Sequence, residues 1–255
     1  MSAGVDGWTR LQQEALALVV AAADQGVPLR VVGSAGIRLH CGPAGELMDE
    51  VARPAKDIDF VVLREDRKSL RRLLEARGYE VDRDLLVAME GRRYTFTHPG
   101  TNTDVDVFVE RLDFCHPIDV RDRLRLHPVT IPLDELLLQK LQIVEMTVTD
   151  VLDVGILLAT HPVAGGDDPE TVDAGHIAGL LARDWGFHHT VCRNLDRIEG
   201  GTGLPPERTG QVAAGVRRLR AAIDAAPKSL PWRMRDKVGE RKQWWQDVDE
   251  KEATY

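Results

Sequence analysis

Asp57-Ile58-Asp59-Phe60-Val61-Val62-Leu63 decides the fold class, because two carboxylates open a β-prone apolar run. Along a strand, side chains i and i+2 share a face about 7 Å apart, so Asp57 and Asp59 point to one side while Ile58 and Phe60 take the other. Asp104-Val105-Asp106-Val107-Phe108-Val109 repeats the pattern. Two further Asp-x-Asp triplets, Asp82/Asp84 and Asp247/Asp249, open no such run, so the triplet alone carries little.

Upstream, residues 29–32 read as a short strand that stops at Gly33-Ser34, with a helix expected over 35–41. The Gly- and Pro-containing stretch 42–55 reads as a loop of functional length. Trp8, Leu11, Leu18, Val19 and Ala22 recur at helical spacing and predict an opening helix over 8–25. Downstream, a helix over 66–77 closes on Gly78, and strands over 92–97 and 103–109 flank the turn signal His98-Pro99-Gly100. Pro128 and Pro132 then bracket a change of regime. Beyond them the period is helical over 133–146, 150–160, 172–182, 187–198, 212–223 and 232–248. The expectation is an α+β chain, with a sheet-and-helix domain over 1–130 and an all-helical region over 131–255.

With 255 residues, 43% hydrophobic and 29% charged, the chain has ordinary globular usage, which excludes low-complexity and collagenous classes. Cys41, Cys115 and Cys192 form no CxxC pair, so neither a disulfide framework nor a cysteine zinc site is encoded, and a reducing compartment fits. The apolar runs at 16–23 and 154–159 fall far short of the ~18 residues of a bilayer span. No basic-then-apolar leader is evident, so a cytoplasmic protein with no membrane partner is expected. The net charge is −8, of which −7 lies before residue 162. Such a chain is a poor non-specific binder of nucleic acid, whereas acidity gathered in the front half suits a metal cation.

Two carboxylates held on one strand face repel and call for a counter-cation. Hard oxygen ligands suit Mg²⁺, and two such ions clamp the entering and leaving oxygens of a displacement at phosphorus. Gly33-Ser34, where a strand gives way to a helix, offers backbone N–H groups to an anion. Lys140 falls on the apolar stripe of Leu133, Leu136, Leu137 and Val144, where a lysine must snorkel or find an anion. Structural alternatives stand beside each reading: a solvated strand entrance for Asp57 and Asp59, a plain turn and N-cap for Gly33-Ser34, and for Asp106 a pairing across the hairpin with Arg92 or Arg93. Other chemistries fail, since no Gly-x-Ser-x-Gly elbow, dinucleotide fingerprint or Walker lysine is present. The neighbours in Cys115-His116 and His188-His189 point apart in any regular structure, which leaves both pairs structural.

The order of strand, Gly-Ser turn, helix, Asp-x-Asp strand and third-Asp strand resembles the DNA polymerase β-like nucleotidyltransferase superfamily, and in particular its minimal stand-alone members such as the AbiEii and MenT-type toxin enzymes. The resemblance spans about residues 28–160 and implies a mixed sheet flanked by helices. It implies that Gly33 and Ser34 cradle phosphates, that Asp57 and Asp59 are paired metal ligands, and that Asp106 is the third carboxylate, with Asp104 as a rival on the same face. It further implies an active-site role for Lys140, with Asp150 or Asp153 as the acid on the next helix. Ala55 stands where that family commonly has Thr, which removes one hydroxyl. The implied activity passes a nucleoside monophosphate from an NTP such as ATP to an acceptor hydroxyl on a small molecule, protein or tRNA, with two Mg²⁺ ions and pyrophosphate leaving. A catalytically silent nucleotide-sensing or partner-binding module, and a toxin-type enzyme acting on tRNA, are the alternatives.

Overall fold

The computed structural model describes residues 2–40, 42–166 and 168–247, with side chains from Gly7 onward, so Cys41, Val248 and Asp249 lie outside the described residues. The chain divides into two units, 1–112 with 119–132 and 113–118 with 133–255.

In the first unit, α1 (Ser2–Ala23) buries Trp8, Leu11, Ala15, Leu18, Val19 and Ala22 along one stripe. β1 (Arg30–Val32) runs directly into α2 (Gly33–His40), and α3 (Gly42–Glu50) follows. Next come β2 (Ile58–Val62), α4 (Arg67–Ala76), β3 (Glu80–Val81), α5 (Arg83–Ala88), β4 (Arg93–His98) and β5 (Thr103–Val109); the short strands β6 (Arg111–Asp113) and β7 (Pro117–Asp119) follow, with Asp113, Pro117 and Ile118 belonging to the second unit. The sheet has the order β1-β2-β5-β4-β3, with β2 and β5 parallel and the other neighbours antiparallel, so it is mixed.

The central β2–β5 pair explains the two apolar runs. Its register sets Ile58, Phe60 and Val62 beside Val105, Val107 and Val109, all buried on one face. Tyr94 and Phe96 of β4 join that face, and Leu70 of α4 borders the same crevice as Val62, Tyr94 and Val107. Alternation sends Asp59, Asp106, Arg93 and Thr95 to the other face.

Several sequence expectations need correction. The stretch 42–55 is not all loop: α3 takes up most of it, burying Ala44, Leu47 and Met48 at helical spacing. Pro43 is tolerated in the first turn, where its missing N–H has no partner to lose. Gly45 lies against Arg38, whose guanidinium donates to the Gly45 carbonyl at 2.9 Å and pairs with Asp49 at 2.9 Å, fastening α2 to α3.

The second unit comprises α6 (Leu133–Leu141), α7 (Val148–Thr160), β8 (Val163–Ala164), β9 (Val172–Asp173), α8 (Ala174–Leu181), α9 (Trp185–Glu199), α10 (Thr209–Ala225) and α11 (Leu230–Asp236). It is therefore not entirely helical. β8 and β9 pair in parallel where a helix is expected from residue 172, and Asp173 caps α8 by accepting from the N–H groups of Gly175 and His176. The helix expected over 133–146 stops at Leu141, and α7 opens with a capping box between Thr147 and Asp150. The last expected helix, 232–248, ends at Asp236 before Gly239, whose φ is +58°. Among the described residues no helix is long and apolar enough to cross a membrane.

His116 is a structural residue of this unit, stacked on Phe187 with ring centroids 5.0 Å apart and sharing a 2.8 Å hydrogen bond with the Thr190 hydroxyl. Burial lowers its pKa to about 4, although Asp184 pulls the other way. The unfolded chain thus takes up a proton near pH 6.5 that the folded chain refuses until about pH 4. From that site, stability is complete above pH 6.5 and falls as pH drops toward 4, by up to about 1.4 kcal/mol per pH unit. His116→Gln is expected to flatten this slope in urea unfolding measured between pH 4 and 7, leaving the contribution of other groups. One is His127 in the first unit, which burial, His40 and Arg30 likewise push down to about 4.

Candidate functional site

β1 ends at Val32, whose register partner is Asp59, so the turn into α2 begins directly beside that carboxylate. Gly33 has φ +65°, a conformation that L side chains rarely adopt, and a Cβ built there would lie 2.3 Å from Asp59 Oδ2. Glycine is required twice over: by the backbone, and by the carboxylate pressed against it. Ser34 follows, buried in the first turn of α2. The Gly-Ser turn and the Asp-x-Asp strand are thus brought together.

β2 and β5 place Asp59 opposite Asp106 in parallel register, on the same face of the sheet. Asp57 stands one residue before β2 and is half-buried. Asp104, the rival, is exposed and accepts a 2.7 Å hydrogen bond from the Thr97 hydroxyl. Asp106, not Asp104, is the register partner of Asp59.

Asp106 has a second set of neighbours. Arg93 Nη2 donates to Asp106 Oδ2 at 2.7 Å, and the Thr95 hydroxyl donates to Oδ1 at 2.5 Å. The Arg93 guanidinium also lies 5.1 Å from the Phe108 ring centroid. The cross-hairpin pairing, one of the two readings open for Asp106, is therefore present through Arg93. It bears on the metal reading, because Arg93 already supplies Asp106 with positive charge. Among the described residues, one set of three His, Cys, Asp or Glu donors lies within 4.8 Å of one another, and it is Asp134, Glu135 and His176 of the second unit. Asp57, Asp59 and Asp106 form no such set.

Lys140 belongs to the second unit, on α6. Its ammonium pairs with Asp150 at 3.2 Å and with Asp153 at 3.0 Å, both on α7. The anions expected for a lysine on an apolar stripe are therefore both candidate acids. Burial raises the Asp150 carboxyl, but Lys140 and the Thr147 hydrogen bonds outweigh it and hold Asp150 below the ordinary carboxylate range. Asp153 is fully buried.

Of the remaining Asp-x-Asp residues, Asp82 and Asp247 have local hydrogen-bond partners. Asp82 caps α5 by accepting from Leu85 N–H at 2.9 Å, and Asp247 accepts from Gln243 at 3.0 Å. No protein-family model matches this chain, and no curated protein matches it either.

Two stability tests follow from these contacts. Gly33→Ala is expected to cost about 1–2 kcal/mol from the left-handed backbone, with a further loss from the clash with Asp59. In a urea double-mutant cycle, Asp59→Ala should recover only the clash term. Lys140→Met leaves Asp150 and Asp153 without their shared cation and is expected to destabilise the second unit by about 3–5 kcal/mol, read from its denaturant midpoint.

Proposed function

We propose that the first unit is the catalytic part of a Mg²⁺-dependent nucleotidyltransferase, which passes a nucleoside monophosphate from an NTP to an acceptor hydroxyl. The observation that carries this reading is the contact of Gly33 with Asp59 at the head of α2, with Asp106 next to Asp59 in the sheet. A helix N-terminus attracts phosphate, but here a carboxylate already stands beside it. A polyphosphate brought to Gly33 and Ser34 meets like charge, and the chemistry that reconciles the two is a divalent cation shared between carboxylate and phosphate oxygens. Asp57 and Asp59 would hold that ion; Asp106, which makes no three-donor set with them and is engaged by Arg93 and Thr95, stays on the adjacent strand. When bound, Mg²⁺ supplies Lewis-acid polarisation of the phosphorus centre.

The chain's own groups do the rest. The Gly33 and Ser34 amides orient the phosphates, and Asp106 accepts a hydrogen bond from the incoming hydroxyl and takes its proton. The hydroxyl oxygen forms the new bond to the α-phosphorus as the bond to pyrophosphate breaks. Lys140 is occupied by Asp150 and Asp153, so the transfer step is assigned to first-unit residues alone.

The ion pair between Arg93 and Asp106 favours a second reading, in which the same site binds an NTP without turning it over. One experiment separates the two: purified protein, each labelled NTP, Mg²⁺ and cell extract, followed for pyrophosphate release and labelled acceptor. Turnover by the wild type that falls at least about 100-fold in Asp59→Ala, with thermal stability kept, supports transfer. Mg²⁺-dependent NTP binding in calorimetry without any turnover supports the binding module, and equal turnover by wild type and Asp59→Ala sinks both.

A further inference from the structure

We infer that Asp134, Glu135 and His176 form a transition-metal site in the second unit, independent of the nucleotide site and suited to Zn²⁺. Asp134 and Glu135 occupy the first turn of α6, and His176 the first turn of α8. His176 Nε2 lies 2.9 Å from Glu135 Oε1 and 3.6 Å from Asp134 Oδ2, and one atom from each residue falls within 4.8 Å of the others. Donors bound about 2.1 Å from one ion at octahedral to tetrahedral angles are separated by about 3.0–3.4 Å. The His176–Glu135 separation is close to such an edge and the His176–Asp134 separation slightly longer, with all three donors inside 4.8 Å.

The chemistry of the donors narrows the ion. Two carboxylate oxygens alone would suit Mg²⁺ or Ca²⁺, but an imidazole nitrogen shifts preference to the first-row transition metals, and Zn²⁺ accepts this N/O mixture. Consecutive helical residues diverge by about 100°, yet the short Asp134 and the longer Glu135 both reach the same imidazole. Both acids are almost fully buried, at 2% and 0% exposure, whereas the His176 side chain keeps 24%. The cluster is therefore open to solvent through the imidazole side. The mounting is rigid: Asp173 Oδ1 accepts from the His176 backbone N–H at 3.1 Å, fixing the start of α8.

The test uses the full chain, stripped by chelator and then titrated with ZnCl₂ in excess Mg²⁺, with uptake read by calorimetry and elemental analysis. Wild type is expected to bind one more equivalent of Zn²⁺ than His176→Asn or Glu135→Gln and to gain a Zn²⁺-dependent rise in Tm that both variants lack. The loss of affinity should exceed the roughly 100-fold that outer-shell substitutions cause. Asp59→Ala should keep both the equivalent and the Tm rise, which separates this site from the proposed nucleotide site. Equal Zn²⁺ uptake by wild type and folded variants overturns the inference. Should the variants fail to fold, the ring ¹⁵N spectrum of the wild-type histidines decides: Zn²⁺ shifts one Nε2 resonance if the site exists, and no shift overturns it.

Discussion

Asp59 stands on a central parallel strand with its carboxylate against the backbone of Gly33, and this contact couples the sheet to the helix that leaves it. β1 is antiparallel to β2, so the chain comes off β1 beside the start of β2 and must turn there. A side chain at the turn would displace the carboxylate; glycine in the left-handed region lets α2 begin at once. The parallel register then fixes a second carboxylate, Asp106, next to the first. The positions of both carboxylates beside the start of α2 follow from this packing.

The two units deal with paired carboxylates in different ways. On the polar face of the sheet, β4 supplies partners by alternation: Arg93 and Thr95 to Asp106, and Thr97 to Asp104. In the helical unit a single ammonium, Lys140, is shared by Asp150 and Asp153, with Thr147 adding hydrogen bonds to the former. Each arrangement puts cation and anion on adjacent elements of the same unit, so each anchors packing as well as charge. Asp134 and Glu135 face the imidazole of His176 instead, on another helix of the same unit.

The sheet and much of the site were legible because strand alternation and turn residues are local. The bounds of β5 agree with the expected 103–109, and β2 lies within the expected 57–63. α3 was hidden because Gly42, Pro43 and Gly45 carry loop chemistry, while the burial that holds the helix comes from tertiary contacts such as Arg38. Thr95 was overlooked although a signal existed: counting back through the turn at 99–102 pairs residue 95 with 106 and 93 with 108, which sets Arg93 diagonal to Asp106. The His176 cluster had no such signal, since its members lie on helices about forty residues apart in the chain. Lys140 was legible as a charge on an apolar stripe, but only packing shows that both candidate acids hold it.

Stability alone accounts poorly for the face that carries Asp59 and Asp106. Like charges directly opposite in a sheet are unfavourable, and on the other face the same strands bury Ile58, Phe60, Val105 and Val107. Hydrophobic residues in place of the aspartates would pack the sheet better without an arginine to offset them. The like-charged pair sits near the start of β2 and midway along β5, with Asp59 beside the Gly33 turn, while Val61 and Phe108 of the same face are buried. The like-charged pair thus stands beside the start of α2, and the ordinary apolar packing of the strands resumes two residues away.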